Sequence, residues 1–286
     1  MIFDSHAHFT SINGEGEAPA FDVVDITAQL DRARAAGLCG VLACGGGPDL
    51  DDGAIAAVRA APDFAFLALG LGRDTASVTA ATPAALRASI ATLKARIAKL
   101  ESEGIKISAI GEIGLDFSHD ETASERDAQI ALFAEQLQLA AEMNVPCTIH
   151  SRDAADETIK TLQTCAANSS VIHCFTGSAD FAAAVLELGL SIGVSGIATF
   201  RNADALRGIV RTLPRARVVL ETDCPWLAPV PLRGRANEPA FISHTCNLVA
   251  SLWEISPEEC AAICTENAMR LFTKSRLNAI IMGWGQ

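Results

Sequence analysis

Short apolar segments alternate with longer amphipathic segments along most of the chain. The apolar segments have the length and composition of buried strands, and they cover residues 1–4, 40–45, 64–70, 108–114, 146–150, 170–175, 190–196 and 217–223. In the amphipathic segments apolar residues recur at helical spacing, as in residues 25–37, 82–104, 125–144, 238–254 and 256–272. Eight strands that alternate with helices predict an α/β fold, a single (β/α)8 barrel of the TIM type.

Nothing in the sequence divides this pattern into separate domains. The chain has 286 residues, a length at which barrels are commonly single domains. We find no linker, internal repeat or break in composition, so residues 1–286 are predicted to form one domain. Residues 13–19 and 229–239 are rich in glycine, proline and polar residues and are predicted to be loops. Residues 279–286 are predicted to be a tail that packs on the body.

Composition limits the compartment and the partners. The nine cysteines are odd in number and scattered, with no C-x-x-C pair, which is typical of a reducing compartment. The sequence has no charged-then-apolar leader and no apolar run of membrane-spanning length, so we expect a cytoplasmic protein without a membrane partner. We also expect a monomer. The formal net charge of −12 excludes a broad basic face for nucleic acid. Any phosphate chemistry must therefore rely on a local site.

Polar side chains interrupt the apolar strands close to where each strand ends. They are His6 and His8 after the first strand, Glu112 in the fourth, His150 in the fifth, His173 in the sixth and Asp223 at the end of the eighth. The carboxyl ends of the strands meet at one mouth of a parallel barrel, where barrel enzymes keep their active sites. Residues two apart in an extended segment point the same way, so one ion could contact both His6 and His8.

Each of these residues also has an ordinary structural interpretation. The H-x-H pair could cap a strand, His150 and His173 could be satisfied core imidazoles, and Asp223 could cap a turn before Pro225. Glu112 could form a salt bridge to an arginine or a lysine, since a carboxylate in an apolar strand needs a partner. Four imidazoles and two carboxylates at one mouth nevertheless favour a metal site, with one carboxylate bridging two ions.

Several neighbouring residues are candidates for supporting roles. Asp4 and Glu221 lie beside ligand positions and could orient ligands or form ordinary salt bridges. Asp116 could fix the turn after the fourth strand or pair with an arginine. Cys174 and Cys224 are expected to point away from the site, because side chains alternate along a strand. Candidate phosphate contacts are Arg152 after His150 and Arg233 and Arg235 in the loop after the last strand; exposed arginines are the alternative. His119 and His244 receive no role.

The sequence resembles the TatD family of metal-dependent deoxyribonucleases. The resemblance rests on "DSHAHF", "GEIGLDF", "QLQLAAEMNVPCTIHSR", "HCFTGS", "ETDCPWLAP", "RGRANEP" and "TENAMRLF", which occur in family order over nearly the whole chain. It implies a (β/α)8 barrel, a cytoplasmic location and metal-dependent hydrolysis of phosphodiesters. It also implies that His6, His8 and Asp223 hold one ion, that His150 and His173 hold a second, and that Glu112 bridges them.

The chain departs from the family pattern after the third strand. Family members usually read G-x-H-P-H there, whereas this chain has Gly72, Arg73 and Asp74 at the last three positions. Arg73 is a candidate phosphate contact in place of the missing histidine. We expect that a histidine restored at residue 72 raises the rate of hydrolysis.

These observations predict a hydrolase that uses two divalent ions (Mg, Mn or Zn) and acts on phosphodiesters near the ends of single-stranded nucleic acid. Divalent ions lower the pKa of a bound water to near neutrality, and Asp223 is expected to accept that proton, with Glu112 as the second catalytic residue. One alternative keeps the metals but changes the substrate to a small ester, amide or phosphoester. Another is a non-catalytic metal-binding barrel.

Overall fold

The computed structural model describes residues 1–11, 25–119, 122–165 and 169–273. The predicted loop at 13–19 and the predicted tail at 279–286 lie outside the described residues. The assignment of residues 1–286 to one domain therefore stays a prediction.

Eight parallel strands follow one another around a barrel in sequence order, each paired with the next. They are β1 (Ile2–Ala7), β2 (Leu38–Gly46), β3 (Ala65–Leu71), β4 (Ile107–Asp116), β5 (Cys147–Arg152), β6 (Val171–Ile172), β7 (Ser191–Val194) and β8 (Val218–Leu220). The ring closes where Ala7 bridges Cys224 and the amide of His8 donates to the carbonyl of Cys224 at 2.8 Å. The predicted (β/α)8 barrel is confirmed.

Helices alternate with the strands and cover the outside of the barrel. They are α1 (Ile26–Ala35), α2 (Pro48–Ala60), α3 (Ala76–Thr79), α4 (Pro83–Ser102), α5 (Ala123–Met143), α6 (Ala155–Cys165), α7 (Ala179–Glu187), α8 (Asp204–Thr212), α9 (Ile242–Trp253) and α10 (Pro257–Phe272). The ends follow from local chemistry: a capping box between Thr122 and Glu125 begins α5, and Asn144 ends it in the left-handed conformation. Among the described helices, none is long and apolar enough to cross a membrane.

Alternating side chains divide each central strand between two apolar layers. In β3, Leu67 and Leu69 belong to the large cluster shared with the surrounding helices, whereas Phe66 and Ala68 belong to a second, smaller cluster. This second cluster draws on β1, β2, β3, β4, β6 and β8, and so fills the inside of the barrel.

Helix α10 closes the end of the barrel at which the strands begin. Its Phe272 ring stacks on Phe3 near the start of β1 at a centroid distance of 6.3 Å, and Phe3 also packs on Phe66 at 5.3 Å. With this end filled by apolar side chains, the opposite mouth is left for polar ones.

The strand boundaries differ from the prediction where polar residues begin. Strand β1 is longer than predicted, so His6 lies within it and only His8 follows it. Strands β6 and β8 are shorter, and both His173 and Asp223 lie just beyond their last residues. The chain stays attached to the barrel there, because the amide of His173 donates to the carbonyl of Ile149 and that of Asp223 to the carbonyl of His6, each at 2.9 Å.

Candidate metal centre

The six residues predicted as metal ligands lie together at the mouth of the barrel. Three overlapping groups of side chains have ligand atoms within 4.8 Å of one another. They are His6, His8 and Glu112; His6, His173 and Asp223; and Glu112, His150 and His173. Their assignment as metal ligands stays a prediction, and their geometry can be tested against what a metal ion requires.

The first half of the centre is formed by His6, His8, Glu112 and Asp223. The Nε2 atoms of His6 and His8 are 3.0 Å apart, and they lie 3.6 and 3.3 Å from Oε2 of Glu112. Oδ1 of Asp223 is 3.8 Å from both nitrogens. Atoms that each lie about 2 Å from one ion are separated from one another by roughly these distances.

Hydrogen bonds behind the imidazoles fix which nitrogen faces the centre. Nδ1 of His8 is 2.9 Å from the carbonyl oxygen of Cys44, which can only accept, so Nδ1 carries a proton and Nε2 is the nitrogen that faces the centre. Nδ1 of His6 lies 2.7 Å from the hydroxyl of Thr148. A neutral imidazole nitrogen that faces two carboxylates is a donor arrangement suited to a divalent cation, with the partner groups supplying the orientation.

The second half of the centre is a triangle of nearly equal sides. Nδ1 of His150 and Nε2 of His173 are 3.3 Å apart, and each lies 3.3 Å from Oε1 of Glu112. Glu112 therefore turns one carboxylate oxygen to each half of the centre, as a bridging ligand would. The donor set fits two divalent ions by its chemistry and spacing.

Arg73 binds directly to this shared carboxylate. Its Nη1 lies 2.5 Å from Oε1 of Glu112, and its Nε is 3.8 Å from Oδ2 of Asp116. Burial raises the pKa of Glu112, but Arg73 and then His173 outweigh it and hold the pKa well below its usual value. The salt bridge considered for Glu112 thus exists within the candidate metal centre. The role of Arg73 as a phosphate contact stays a prediction, and one of its nitrogens, Nη1, is engaged by Glu112.

Three further carboxylates surround the predicted ligands. Oδ2 of Asp116 is 3.2 Å from Nε2 of His150, and Oδ1 of Asp116 accepts from the amide and the hydroxyl of Ser118 at 3.0 and 2.6 Å. Asp116 thus both fixes the turn and holds the imidazole of His150, a predicted ligand. Burial raises the pKa of Asp116, but the hydrogen bonds from His150 and Ser118 outweigh it and hold that pKa below its usual value.

Asp4 and Glu221 lie behind the centre. Asp4 accepts from the amide and hydroxyl of Thr222 at 3.0 and 2.6 Å, which fixes the chain beside Asp223, and burial raises its pKa to about 7. Glu221 accepts from the amide of Cys174 and lies 4.0 Å from Nδ1 of His173. Burial raises the pKa of Glu221 well above its usual value.

A cavity of about 860 Å³ opens beside the centre. His150, His173 and Asp223 line it, and so does the exposed side chain of Arg152. The remaining wall is largely apolar and contains Ile197, Phe200, Leu206 and Leu227.

The other arginines and histidines of the prediction lie at varying distances from this cavity. The guanidinium of Arg233 stacks over the ring of Phe200 at 3.8 Å, whereas Arg235 is exposed and does not line the cavity. His119 lines a separate, smaller cavity with Arg73 and Asp116. His244 lies on α9. Neither histidine belongs to a candidate metal group found among the described residues.

One expectation about a neighbouring residue is wrong, and a second, the gain in rate from a histidine at residue 72, meets a steric obstacle. Cys174 lines the cavity rather than pointing away, because its positive φ of 44° breaks the alternation of side chains after His173. A histidine at residue 72 does not fit: the amide of Gly72 donates to the carbonyl of Gly46 at 2.7 Å, and a Cβ atom on Gly72 would collide with that oxygen. Cys224 is fully buried and is not part of the cavity wall.

The chain matches a known protein family over most of its length. The family described as TatD related DNase matches residues 3–273. An uncharacterized metal-dependent hydrolase of Bacillus subtilis, YabD, is 34% identical over 95% of this chain and 99% of its own length. The 3'-5' ssDNA/RNA exonuclease TatD of Erwinia billingiae is 36% identical over 85% of this chain and 91% of its own.

A solved structure shares the whole barrel. The TatD homologue YJJV of Escherichia coli K12 superposes with a TM-score of 0.79 and 28% identity, covering 95% of this chain and 98% of that one. By the extent of the family match and of these relatives, the chain belongs to the TatD family of hydrolases.

Proposed function

We propose that this chain is a divalent-metal-dependent phosphodiesterase that removes nucleotides from an end of single-stranded DNA or RNA. The main observation behind the proposal is the cavity beside the centre. One of its walls contains His150, His173 and Asp223, and the other is apolar and aromatic. Its size of about 860 Å³ lies within the range of small-ligand sites. A terminal nucleotide could place its phosphate on the first wall and its base against the second.

The preference for a strand end over a long duplex is supported by charge as well as by the shape of the cavity. The formal net charge of −12 repels a long duplex over most of its footprint, so attraction must come from the centre itself and from nearby arginines. Arg152 lies in the cavity wall and Arg233 stacks on Phe200, which also lines it. The Erwinia billingiae relative is named as an exonuclease of single-stranded DNA and RNA, which supports the same substrate class.

His6, His8, Glu112 and Asp223 would hold one ion, and Glu112, His150 and His173 the other. Bound divalent ions would lower the pKa of a water molecule and neutralise phosphate charge. A set of imidazoles and carboxylates suits Mn and Zn, whereas Mg prefers oxygen ligands, so all three metals belong in the test.

Asp223 is the residue best placed to move a proton. Its carboxylate lies 3.8 Å from the Nε2 atoms of His6 and His8 and lines the cavity where a substrate would enter. Burial raises the pKa of Asp223, which makes the carboxylate a better proton acceptor, and a cation bound beside it would oppose this shift. Arg152 would hold a non-reacting phosphate oxygen by a charge-assisted hydrogen bond.

The compartment and the assembly state are also part of the proposal. Cysteines are free at all nine positions, which agrees with a reducing cytoplasm. We expect a monomer in solution, and light scattering during gel filtration measures this directly.

A small ester, amide or phosphoester is the second candidate substrate, because Gly72 and Asp74 replace the two family histidines near the centre. Single-stranded oligonucleotides, duplexes and a panel of small esters and amides should be compared with Mg, Mn and Zn, using Asp223→Asn as the inactive control. Hydrolysis of the single strand well above the duplex supports the proposal. Turnover of only small esters or amides contradicts it, and turnover of nothing while metal is bound favours the non-catalytic barrel.

A further inference from the structure

The two halves of the centre differ in one respect that the ligand set does not explain. Oε2 of Glu112 faces only His6 and His8, at 3.6 and 3.3 Å. Oε1 faces His150 and His173 and is also bound by Arg73 at 2.5 Å. A permanent positive charge therefore lies against only one of the two oxygens, on the side where the second ion would bind.

Arg73 is held in this position by the fold around it. It begins a short helical turn, Arg73–Thr75, directly after β3, and its side chain is 22% exposed. The backbone hydrogen bond from Gly72 to Gly46 fixes the start of that turn against β2. The other carboxylates near Arg73 are farther away: Asp116 lies 3.8 Å and the exposed Asp74 3.9 Å from its Nε atom. Glu112 is thus its closest ionic partner.

A guanidinium and a divalent ion compete for one carboxylate oxygen at this point. Arg73 cannot lose its charge at any ordinary pH, so it neutralises Glu112 whether or not metal is present. An ion between His150 and His173 would share Oε1 with a group of like charge. An ion between His6 and His8 would use the other oxygen and would also gain the Asp223 carboxylate.

We propose that Arg73 makes the centre unequal, so that the ion at His6, His8, Glu112 and Asp223 binds tightly while the His150–His173 position fills only at much higher metal concentration. Arg73 then supplies at the second position part of the positive charge that a second ion would supply. This inference rests on the proposed metal dependence of the chain, but it makes no use of the substrate.

The number of tightly bound ions tests this inference without any activity measurement. Metal-free protein is titrated with Co²⁺ and with Mn²⁺, following binding by calorimetry and by the visible spectrum of Co²⁺, and metal retained after desalting is counted by elemental analysis. Wild type is compared with Arg73→Met, which removes the charge, and with Arg73→Lys, which keeps it. Arg87→Met, at an exposed position on α4, is the matched control.

We expect wild type and Arg87→Met to retain one ion per chain, with the second bound at least ~100-fold more weakly. Arg73→Met should tighten the second ion by about 10–100-fold, because it removes a like charge that lies within a few ångströms of the second position. Arg73→Lys should stay close to wild type. Two ions of similar affinity in wild type, or an unchanged second affinity in Arg73→Met, would overturn the inference.

The outcome stays informative if Arg73→Met fails to fold, because the two affinities of wild type alone decide whether the centre is unequal. Failure of this inference can also be distinguished from failure of the proposed function. One tight ion in wild type, a tighter second ion in Arg73→Met and no cleavage of oligonucleotides would contradict the nuclease proposal and support the role of Arg73. Two ions of similar affinity with rapid cleavage would support the nuclease proposal and contradict the role of Arg73.

Discussion

Asp116 and His150 are joined by a contact of 3.2 Å between Oδ2 and Nε2, on the side of the imidazole that faces away from Glu112. Ser118 holds the other carboxylate oxygen with two hydrogen bonds. The imidazole is therefore held between two carboxylates, with Nδ1 turned towards the centre. Contacts of this kind set the orientation of a metal-binding histidine and raise its basicity.

Removal of this contact should weaken metal binding without removing a ligand. For Asp116→Ala we expect a decrease in affinity of about 10–100-fold at the His150 position, because the imidazole loses its orienting partner. Calorimetric titration with Mn²⁺ or Co²⁺ measures it, and Asp180→Ala, at an exposed position on α7, is the control. Equal affinities in the two variants would mean that Asp116 serves only the turn.

Glu112 should matter more to metal content than any single histidine. Its two oxygens face different halves of the centre, so Glu112→Gln removes charge from both, whereas each histidine faces only one of these oxygens. We expect less metal in Glu112→Gln than in His6→Ala, His8→Ala, His150→Ala or His173→Ala after identical loading. Glu187→Gln, at an exposed position on α7, should match wild type. Wild-type metal content in Glu112→Gln would make Glu112 a purely structural partner of Arg73.

The backbone approach at residue 72 should make this position intolerant of any side chain. A Cβ atom on Gly72 would meet the carbonyl oxygen of Gly46, whereas Gly208 on α8 has open space around it. We expect Gly72→Ala to lower the free energy of unfolding by about 1–3 kcal/mol, the usual cost of overpacking, and Gly72→His to cost at least as much. Gly208→Ala should be neutral or stabilising, since alanine favours helix. Thermal unfolding checks this, and a more stable or more active Gly72→His would contradict it.

Two of the predicted phosphate contacts can be separated by where they lie. Arg152 lines the cavity, and Arg235 is exposed outside its wall. We expect Arg152→Met to lower kcat/KM for a single-stranded oligonucleotide by about 10-fold or more, the effect of losing a hydrogen bond to a charged group. Arg235→Met should have a much smaller effect. Steady-state kinetics on one labelled oligonucleotide decides, and equal losses in both variants would mean that the arginines act only through overall charge.

The sequence predicts the barrel, and the meeting of the six candidate residues at one mouth, because both depend on simple patterns. Apolar segments of strand length alternate with helices, and a parallel barrel brings the carboxyl ends of its strands to one mouth. A polar residue near the end of an apolar strand, such as Glu112 or His173, is therefore easy to assign.

Sequence patterns do not predict contacts that depend on the conformation of loops. The salt bridge of Arg73 to Glu112 depends on how the turn after β3 folds back, and Cys174 faces the cavity only because its backbone leaves the strand conformation. The close approach of Gly72 to Gly46 likewise arises from the packing of two neighbouring loops. None of these has a periodic signal in the sequence.

The central claim, that this centre cleaves single strands from an end with the help of divalent metal, is tested most directly by one comparison of substrates. A linear single strand and a covalently closed circle of the same sequence are incubated with metal-loaded protein, with metal-free protein and with metal added back. We predict that the linear strand is shortened stepwise only when metal is present, and that the circle stays intact. Cleavage of the circle at the same rate, or no cleavage of either with Mg, Mn or Zn while a small ester or amide is turned over, would contradict the account.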